Sequence, residues 1–396
     1  MGRVRVFGDH DDATMAQLRQ CVDVEPDAKG VLCADGHLGY SMPIGGVVAY
    51  RDHVSPSGVG FDISCGNKAV RTNLRYDDVA ADLPRIMDEV FSQVSFGVGR
   101  NDGKAGDHPV IDEIRNAGFA PQRKLADTAA RQLGTVGAGN HYVDLFRDEE
   151  DRVWVGVHFG SRGFGHKTAS GFLAIAQGLR FDSRPRDTGM MSAPVVFPAA
   201  SPEGQAYVEA MRLAGRYAYA GRDVVVDQVC GILGAGYDLE VHNNHNYAWT
   251  ETHGGETFWV IRKGATPAFP GQLGFVGATM GEPAVILEGV EADDSRDALF
   301  STVHGAGRAM SRSQAAGKWR RGKMIKPPAI DFNSVQGELS AKGIELRGGA
   351  ADEAPLAYKR LPDVLAHHAG TIRVLHELRP IGVAMAPART FDPFKD

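Results

Sequence analysis

Short runs of apolar, β-branched or aromatic residues broken by Gly, Asn and Ser dominate this chain, and helical periodicity is confined to a few stretches. Gly46–Tyr50, Lys68–Thr72, Val153–His158, Thr257–Ile261 and Ala284–Glu288 are such runs, each bounded by Gly, Asp or Pro, and each predicts a strand. Pro84 suits a helical first turn, and Ile86, Val90 and Val94 follow it on one apolar stripe. Ser201-Pro202-Glu203 reads as a cap, opening a helix whose inner face carries Tyr207, Met211, Ala214 and Ala218. A last helix is expected from about Pro362 to Leu378. Residues 99–123 and 183–202, rich in Gly, Pro and Asp, read as surface loops or lids. The mixture predicts an α+β fold: a single compact domain over residues 1–396, with a mixed β-sheet core and surrounding helices.

Composition narrows the class. At 396 residues, 43% hydrophobic and 23% charged, the chain is globular and long enough for a large core. Its motifs run from Asp35 to Arg308 and must converge in space, which favours one unit. Cys21, Cys33, Cys65 and Cys230 form no CxxC pair, so a reducing compartment is expected. There is no apolar run of about 18 residues, and the start MGRVRVFGDHDDAT is charged, so the expectation is cytoplasmic with no membrane partner. The net charge of −6 argues against broad nucleic-acid coating. Between Ser301 and Ile330, however, no acidic residue interrupts Arg308, Arg312, Lys318, Arg320, Arg321, Lys323 and Lys326. A solvated strip and a local phosphate-binding surface both fit that run.

Potential metal ligands sit in five glycine-rich or strand-end segments: Asp62-Ile63-Ser64-Cys65-Gly66, Gly139-Asn140-His141, His158-Phe159-Gly160, Asn244-His245-Asn246 and His304-Gly305-Ala306-Gly307. Glycine beside a ligand lets the backbone turn tightly and lets an ion approach. Asp62 and Cys65, three apart on a turn, can face one ion, and a thiolate can bridge two metals. Imidazole, thiolate and carboxylate together suit Mn, Fe, Co or Zn rather than Mg or Ca. Taken singly, a buried His is more often a core hydrogen-bonder and a free Cys a small buried hydrophobe. Spacing alone therefore leaves both readings open. His10, His53, His108, His166, His242, His253, His367, His368 and His376 are assigned to the surface or to support of other groups.

Ala309 to Ala316 lacks Gly and Pro and predicts a helix entered from His304. Free N–H groups at such an entry favour a phosphate. An imidazole there can attack phosphorus to give a phosphoramidate that a later acceptor displaces. Arg308 and Arg312, one turn apart, could neutralise phosphate oxygens. His158-Phe159-Gly160-Ser161-Arg162-Gly163 is a second anion candidate, although Gly-Ser-Arg-Gly could equally be a plain turn.

Asp35-Gly36-His37-Leu38-Gly39-Tyr40, Pro43-Ile44-Gly45-Gly46, SPSGVGFDISCG, GTVGAGNHYVDLF, VHFGSRGFGH, NNHNYA, RKGAT, GATMG, STVHGAGRAMSR and Leu378-Arg379-Pro380 occur in this order. Together they resemble the RtcB family, whose members join RNA ends carrying a 3′-phosphate or 2′,3′-cyclic phosphate to a 5′-hydroxyl, using GTP and manganese. The resemblance implies a two-ion site held by Asp62, Cys65, His141, His158 and His245, with Cys65 shared. It implies two Mn2+ ions, with Zn, Co or Fe as substitutes, and His304 as the histidine that becomes guanylylated. For the nucleotide it implies Asn140, His141, Asp144, His245, Asn246, Gly277, Ala278, Thr279, Met280, Ala284, His304, Gly305, Ala306, Gly307 and Met385. For RNA phosphates it implies Arg162, Arg308 and Arg312. RNA ends and GTP are the implied partners, with room for an activating protein, and the chain is expected as a monomer or weak dimer.

The chain departs from the family pattern around the nucleotide. Met385 stands where the family carries a Lys that contacts the guanine nucleotide, Asp144 where it carries a Glu, and Ala284-Val285 where it carries Ser-Tyr. Two other readings therefore stay open: a metal-dependent phosphohydrolase or nucleotidyltransferase on RNA ends with lost or altered GTP specificity, and a noncatalytic RNA-end-binding protein.

Overall fold

A computed structural model describes residues 4–98, 107–320 and 323–388. The five expected strands fall inside Ile44–Tyr50, Gly66–Arg75, Arg152–Phe159, Glu256–Lys263 and Ala284–Gly289. Their β-branched runs are bounded by turn residues, and their backbone groups are satisfied by neighbours that lie far away in the chain.

The larger sheet has eight strands. Its order is Tyr237–Asn244, Gly66–Arg75, Arg152–Phe159, Tyr142–Arg147, Ile372–Pro387, Ala284–Gly289 and Leu273–Val276, antiparallel throughout, with Glu345–Gly349 added parallel to Ile372–Pro387. Its two ends approach each other. Asn67 Nδ2 donates to the Phe275 carbonyl at 2.8 Å, and Phe275 N–H donates to Asn243 Oδ1 at 3.0 Å, so the sheet curls almost closed. The smaller sheet has five strands in the order Val4–Val6, Lys29–His37, Ile44–Tyr50, Glu256–Lys263 and Asn246–His253. One residue, His245, separates strand Tyr237–Asn244 of the larger sheet from strand Asn246–His253 of the smaller. The chain changes sheets at that histidine.

Helix Pro202–Leu233 opens where Ser201 Oγ accepts the Gly204 N–H at 3.0 Å and closes at Gly234, which adopts φ 63°. Its first half buries Tyr207, Met211, Ala214 and Tyr217 in the core that includes Val48, Tyr50 and Ile261 of the smaller sheet. Its second half buries Val225, Val226, Val229 and Cys230 against the larger sheet. One helix thus fixes one sheet relative to the other. Helix Leu83–Gln93 buries Ile86, Met87 and Val90, with Val94 at its C-cap.

Two expectations need correction. The helix expected over Pro362–Leu378 is only Leu361–Ala366, and Ile372–Pro387 is a strand instead. The helix stops at Ala366 and residues 367–371 form a turn, after which the chain pairs first with Ala284–Gly289 and then with Tyr142–Arg147, so two neighbours override local propensity. Within 99–123, residues 99–106 lie outside the described residues, while Pro109–Arg115 and Ala120–Arg123 are helices. The 183–202 segment is irregular apart from Phe197–Pro198, but it is anchored. Gln17 Nε2 donates to the carbonyls of Gly39 and Met190, both at 2.6 Å, and Ser41 N–H donates to Met190 O at 3.0 Å.

No two of the four cysteines are paired. Among the described residues no helix is long and apolar enough to cross a membrane. Met211 is fully buried where the long helix meets its core. Met211→Ala is expected to cost about 2–5 kcal/mol, read as a lower urea midpoint with an unchanged m-value.

Candidate active site

The register of the larger sheet gathers the candidate ligands at one edge. Gly66 pairs with both Asn244 and Phe159, and His158 pairs with both Asn67 and Tyr142. Cys65, His141 and His245 each adjoin a strand end on that edge, and His158 is next to last in its strand. Asp62 joins them through a tight turn in which Cys65 N–H donates to the Asp62 carbonyl at 3.1 Å. Ser64 in that turn has φ 60°, a left-handed conformation that costs energy for a residue with a side chain. Its N–H donates to Asn246 O at 2.7 Å, and its hydroxyl donates to Asn244 Oδ1 at 2.6 Å. Gly160 gives the carboxylate its room, because a Cβ there would lie 2.3 Å from Asp62 Oδ1.

Two ligand sets share one sulfur. Asp62, Cys65 and His141 form one, and Cys65, His158 and His245 the other, with the ligand atoms of each set within 4.8 Å of one another. Cys65 Sγ lies 3.8 Å from His141 Nε2 and 3.7 Å from His158 Nε2, and Asp62 Oδ2 lies 3.2 Å from His141 Nε2. Sulfur and imidazole nitrogen, about 2.3 and 2.1 Å from one tetrahedral ion, stand roughly 3.6 Å apart, so the spacing fits a transition-metal cation.

The supporting bonds aim the right atoms. His141 Nδ1–H donates to Val136 O at 2.8 Å. His158 Nδ1 bonds Asn67 Oδ1 at 2.5 Å, and the Asn67 amide is itself oriented by its bond to Phe275 O. Both rings therefore turn an Nε2 lone pair toward Cys65. His245 Nδ1 is buried without a partner among the described residues. Burial holds His158 and His245 well below the usual histidine range, so both are neutral and able to ligate. Burial likewise pushes the Cys65 thiol well up, a penalty that a bound cation would offset. Burial opposes ionisation of Asp62 too, yet its contacts with His141 and the Cys65 thiol hold it at about 2.

Beneath this cluster lies Arg222, fully buried on the long helix. Its Nη1 donates to the carbonyls of Ser64 at 2.9 Å and Phe159 at 2.7 Å, Nη2 to Asn244 Oδ1 at 2.8 Å, and Nε to His242 Nε2 at 2.8 Å. One guanidinium ties together the three backbone segments that carry Cys65, His158 and His245.

His304 ends the short strand pair in which Ser301–Val303 runs antiparallel to Ala265–Pro267. It does not open a helix. The helix expected from Ala309 is only Arg312–Ala316, capped by Ser311, and His304 lies well before it. Local hydroxyl capping at Ser311 wins over helical propensity upstream. His304 is oriented instead by Asp35, which is fully buried. Asp35 Oδ2 meets His304 Nδ1 at 2.7 Å and accepts the backbone N–H groups of His304 at 3.0 Å and Gly305 at 3.4 Å. Burial pushes the Asp35 carboxyl up, but its contacts with the His304 ring and backbone N–H outweigh it and keep the group ionised. Nδ1 is therefore the protonated nitrogen, and Nε2 keeps its lone pair. The His304 ring lies 4.8 Å from that of His245.

A cavity of about 360 Å3 connects these groups. It is lined by Asp62, Cys65, His141, His158, His245 and His304, and also by Asn140, Asp144, Asn246, Gly277, Ala278, Thr279, Met280, Gly305, Ala306, Gly307 and Met385. Four expected site residues sit differently. Ala284 packs in the core with Phe146, Trp154 and Leu378, away from the cavity lining. Arg162 begins helix Arg162–Ala176, directing its guanidinium to Thr135 Oγ1 at 3.3 Å and Gly97 O at 3.4 Å, and does not line the cavity. Arg312 lines the cavity but pairs with Asp352 at 3.0 Å and with Glu353. Arg308, also on the wall, donates to Tyr358 Oη at 2.9 Å and to Asp352 O at 2.7 Å.

Sequence reasoning missed Asp35, Asn67, Arg222 and Glu353 as functional positions. Asp35 opens the DGHLGY segment and carried a signal of sorts; the others are spaced like ordinary polar residues. Also missed was His37, a cavity-lining ring that burial lowers to about 4.

A nitrogen, sulfur and oxygen donor cluster beside an oriented imidazole defines a metalloenzyme-type site. The chain matches the family model described as RtcB, tRNA-splicing ligase RtcB, over residues 17–386. It is 33% identical over 455 residues to the tRNA-splicing ligase RtcB of Aeropyrum pernix, covering 94% of this chain and 91% of that protein. It is 31% identical over 434 residues to that of Thermococcus kodakarensis, covering 89% and 87%. To the RNA-splicing ligase RtcB of Escherichia coli K12 it is 30% identical over 376 residues, covering 88% and 87%. The chain belongs to the RtcB family.

Asn67→Ala removes the acceptor that fixes the His158 ring without touching the donor atoms. It is expected to weaken metal retention roughly 10–100-fold, measured by competition with a coloured chelator.

Proposed function

We propose that this protein is an RNA ligase that seals a 3′-phosphate or 2′,3′-cyclic phosphate RNA end to a 5′-hydroxyl end, using GTP and Mn2+ through a guanylylated His304. The observation that carries the reading is the His304–Asp35 pair: a proton fixed on Nδ1 by a buried carboxylate leaves Nε2 nucleophilic in the cavity that holds both ligand sets. The names of the relatives, all tRNA- or RNA-splicing ligases, support the substrate class.

Asp62, Cys65, His141, His158 and His245 would hold the metal, with Cys65 common to two ions. When bound, the ions supply positive charge against the phosphate oxygens. His304 Nε2 attacks the α-phosphorus of GTP; a P–N bond forms, the bond to the β-phosphate oxygen breaks, and pyrophosphate leaves. Asp35 offsets the charge that develops on the ring. The guanylate then passes to an oxygen of the RNA 3′-phosphate, freeing His304. The 5′-hydroxyl attacks that activated phosphorus, forming the phosphodiester and releasing GMP, and a cyclic end is first hydrolysed to the 3′-phosphate. Arg312 and Arg308 approach RNA phosphates by exchanging their carboxylate partners, Asp352 and Glu353 for Arg312 and Glu353 for Arg308. A phosphohydrolase or nucleotidyltransferase that works without GTP shares the same donor cluster, and nucleotide labelling separates the two.

With α-labelled GTP and Mn2+, the protein is expected to form an acid-labile guanylate adduct that His304→Ala abolishes. Persistence of the adduct in that variant would remove His304 as nucleophile. Asp35→Asn, which keeps the shape but loses the charge and the tautomer control, is expected to slow adduct formation about 10³–10⁴-fold, read by single-turnover labelling.

A further inference from the structure

Asp35 aims two imidazoles. Its side chain holds His304 Nδ1 at 2.7 Å, and its backbone carbonyl accepts His37 Nδ1–H at 3.0 Å. A carbonyl only accepts, so the His37 proton sits on Nδ1 and the lone pair on Nε2. His37 lines the same cavity as His304 and the ligand cluster, and its Nε2 has no hydrogen-bond partner among the described residues.

The Asp35 peptide that sets this arrangement is pinned from both sides. Lys359 Nζ donates to the flanking carbonyls, Ala34 at 2.9 Å and Gly36 at 3.3 Å, and the Lys359 N–H donates to Gly307 O at 2.9 Å. Gly307, at φ 75°, packs so closely that a Cβ there would lie 2.2 Å from Asp35 O. The turn that follows His304 therefore rests on the carbonyl that aims His37, which keeps the two rings in one corner of the cavity. Burial lowers His37 to about 4, reinforced by the charges of His304 and Arg308, so the ring is neutral near pH 7.

A neutral ring with its one proton committed can only accept. It is a poor partner for phosphate oxygens, which bring lone pairs of their own, and a good one for a hydroxyl. The other basic groups on the cavity wall are spoken for. Asp62, Cys65, His141, His158 and His245 belong to the ligand sets, His304 to the guanylate, and Glu353 to Arg312 and Tyr358. Asp144 stands on the wall assigned above to the nucleotide. The one hydroxyl that must lose its proton in the sealing step is the RNA 5′-hydroxyl.

We infer that His37 Nε2 is the general base that takes this proton as the 5′-oxygen attacks the guanylylated 3′-phosphate. The new P–O bond forms while the bond from that phosphorus to the GMP oxygen breaks. GMP leaves with the bonding pair, the proton moves to His37 Nε2, and the imidazolium then passes it to water. The inference rests on the ligase reading above, and its test keeps the two apart. The metal-loaded full chain is given RNA whose 3′-phosphate already carries GMP, together with a 5′-hydroxyl RNA, so that sealing is followed without the earlier steps; α-labelled GTP reports His304 separately. His37→Ala is expected to form the guanylate adduct at close to the parent rate and to seal roughly 10²–10⁴-fold more slowly, with added imidazole restoring part of the loss. His37→Gln, which keeps an accepting oxygen but no basic nitrogen, is expected to seal as slowly as His37→Ala. Sealing by either variant at close to the parent rate overturns the inference; in His37→Gln it would leave His37 only a positioning hydrogen bond. Loss of adduct formation along with sealing in both variants also overturns it, because His37 would then serve only to support Asp35. A parent protein that takes no label yet seals the guanylylated RNA, with both variants slow, keeps the base and removes His304 as nucleophile. A parent that does neither removes the ligase reading and this inference with it.

Discussion

The guanidinium of Arg222 is the contact on which the arrangement of the site depends. The larger sheet delivers three strand ends to one edge, but a sheet edge does not set side-chain positions to within a few tenths of an ångström. Arg222 does so by bonding the carbonyls of Ser64 and Phe159 and the amide of Asn244 from a single planar group. A fully buried cation is costly. Four bonds, the Tyr219 ring 4.8 Å away, and the nearby Asp62 and Cys65 offset that cost. Because the long helix that carries Arg222 also packs against both sheets, tertiary packing and ligand placement are mechanically one structure.

His304 is aimed by a parallel device carried by the smaller sheet. Leu299 and Phe300 both adopt left-handed backbone, with φ 51° and 45°, just before the strand that leads to His304. Such a turn persists only where its surroundings over-determine it. Arg262, fully buried and paired with Glu251 at 2.6 Å, supplies that constraint by donating to Leu299 O at 2.9 Å and Ser301 Oγ at 2.8 Å. Asp35 then reaches across from the strand Lys29–His37 to lock the imidazole. The ligand cluster thus sits at the edge of the larger sheet, while His304 follows a separate short strand pair and is aimed by Asp35 from the smaller sheet.

The polar groups around the cavity divide into two kinds. Asn67, Val136 O and Asp35 Oδ2 orient rings, while Asp35 Oδ1 has no hydrogen-bond partner among the described residues. Tyr142 Oη, Asp144 Oδ1 and Thr279 Oγ1 are buried with no hydrogen-bond partner among the described residues. Arg308 and Arg312 stand between the two, facing the cavity yet held by Asp352 and Glu353. Local stability is given up where a ligand binds and kept where geometry must not move.

The amino-acid sequence by itself determined the strands Gly66–Arg75 and Arg152–Phe159 and the long helix from Pro202, because β-branched runs and a hydroxyl cap act over a few residues. It also marked Asp62, Cys65, His141, His158, His245 and His304, because glycine beside a potential ligand is a local pattern. Residues 372–378 were out of its reach: their helical appearance gives way to pairing with the strand Ala284–Gly289, which local propensity cannot see. The roles of Asp35, Asn67 and Arg222 were equally hidden, since each acts on a partner 91 to 269 positions away in the chain. Ala284 shows the converse, a position that motif order brings to the site and packing takes into the core. Which residues carry chemistry is written in short segments; which atoms face one another is set by register and burial, and these exist only once the sheets have closed.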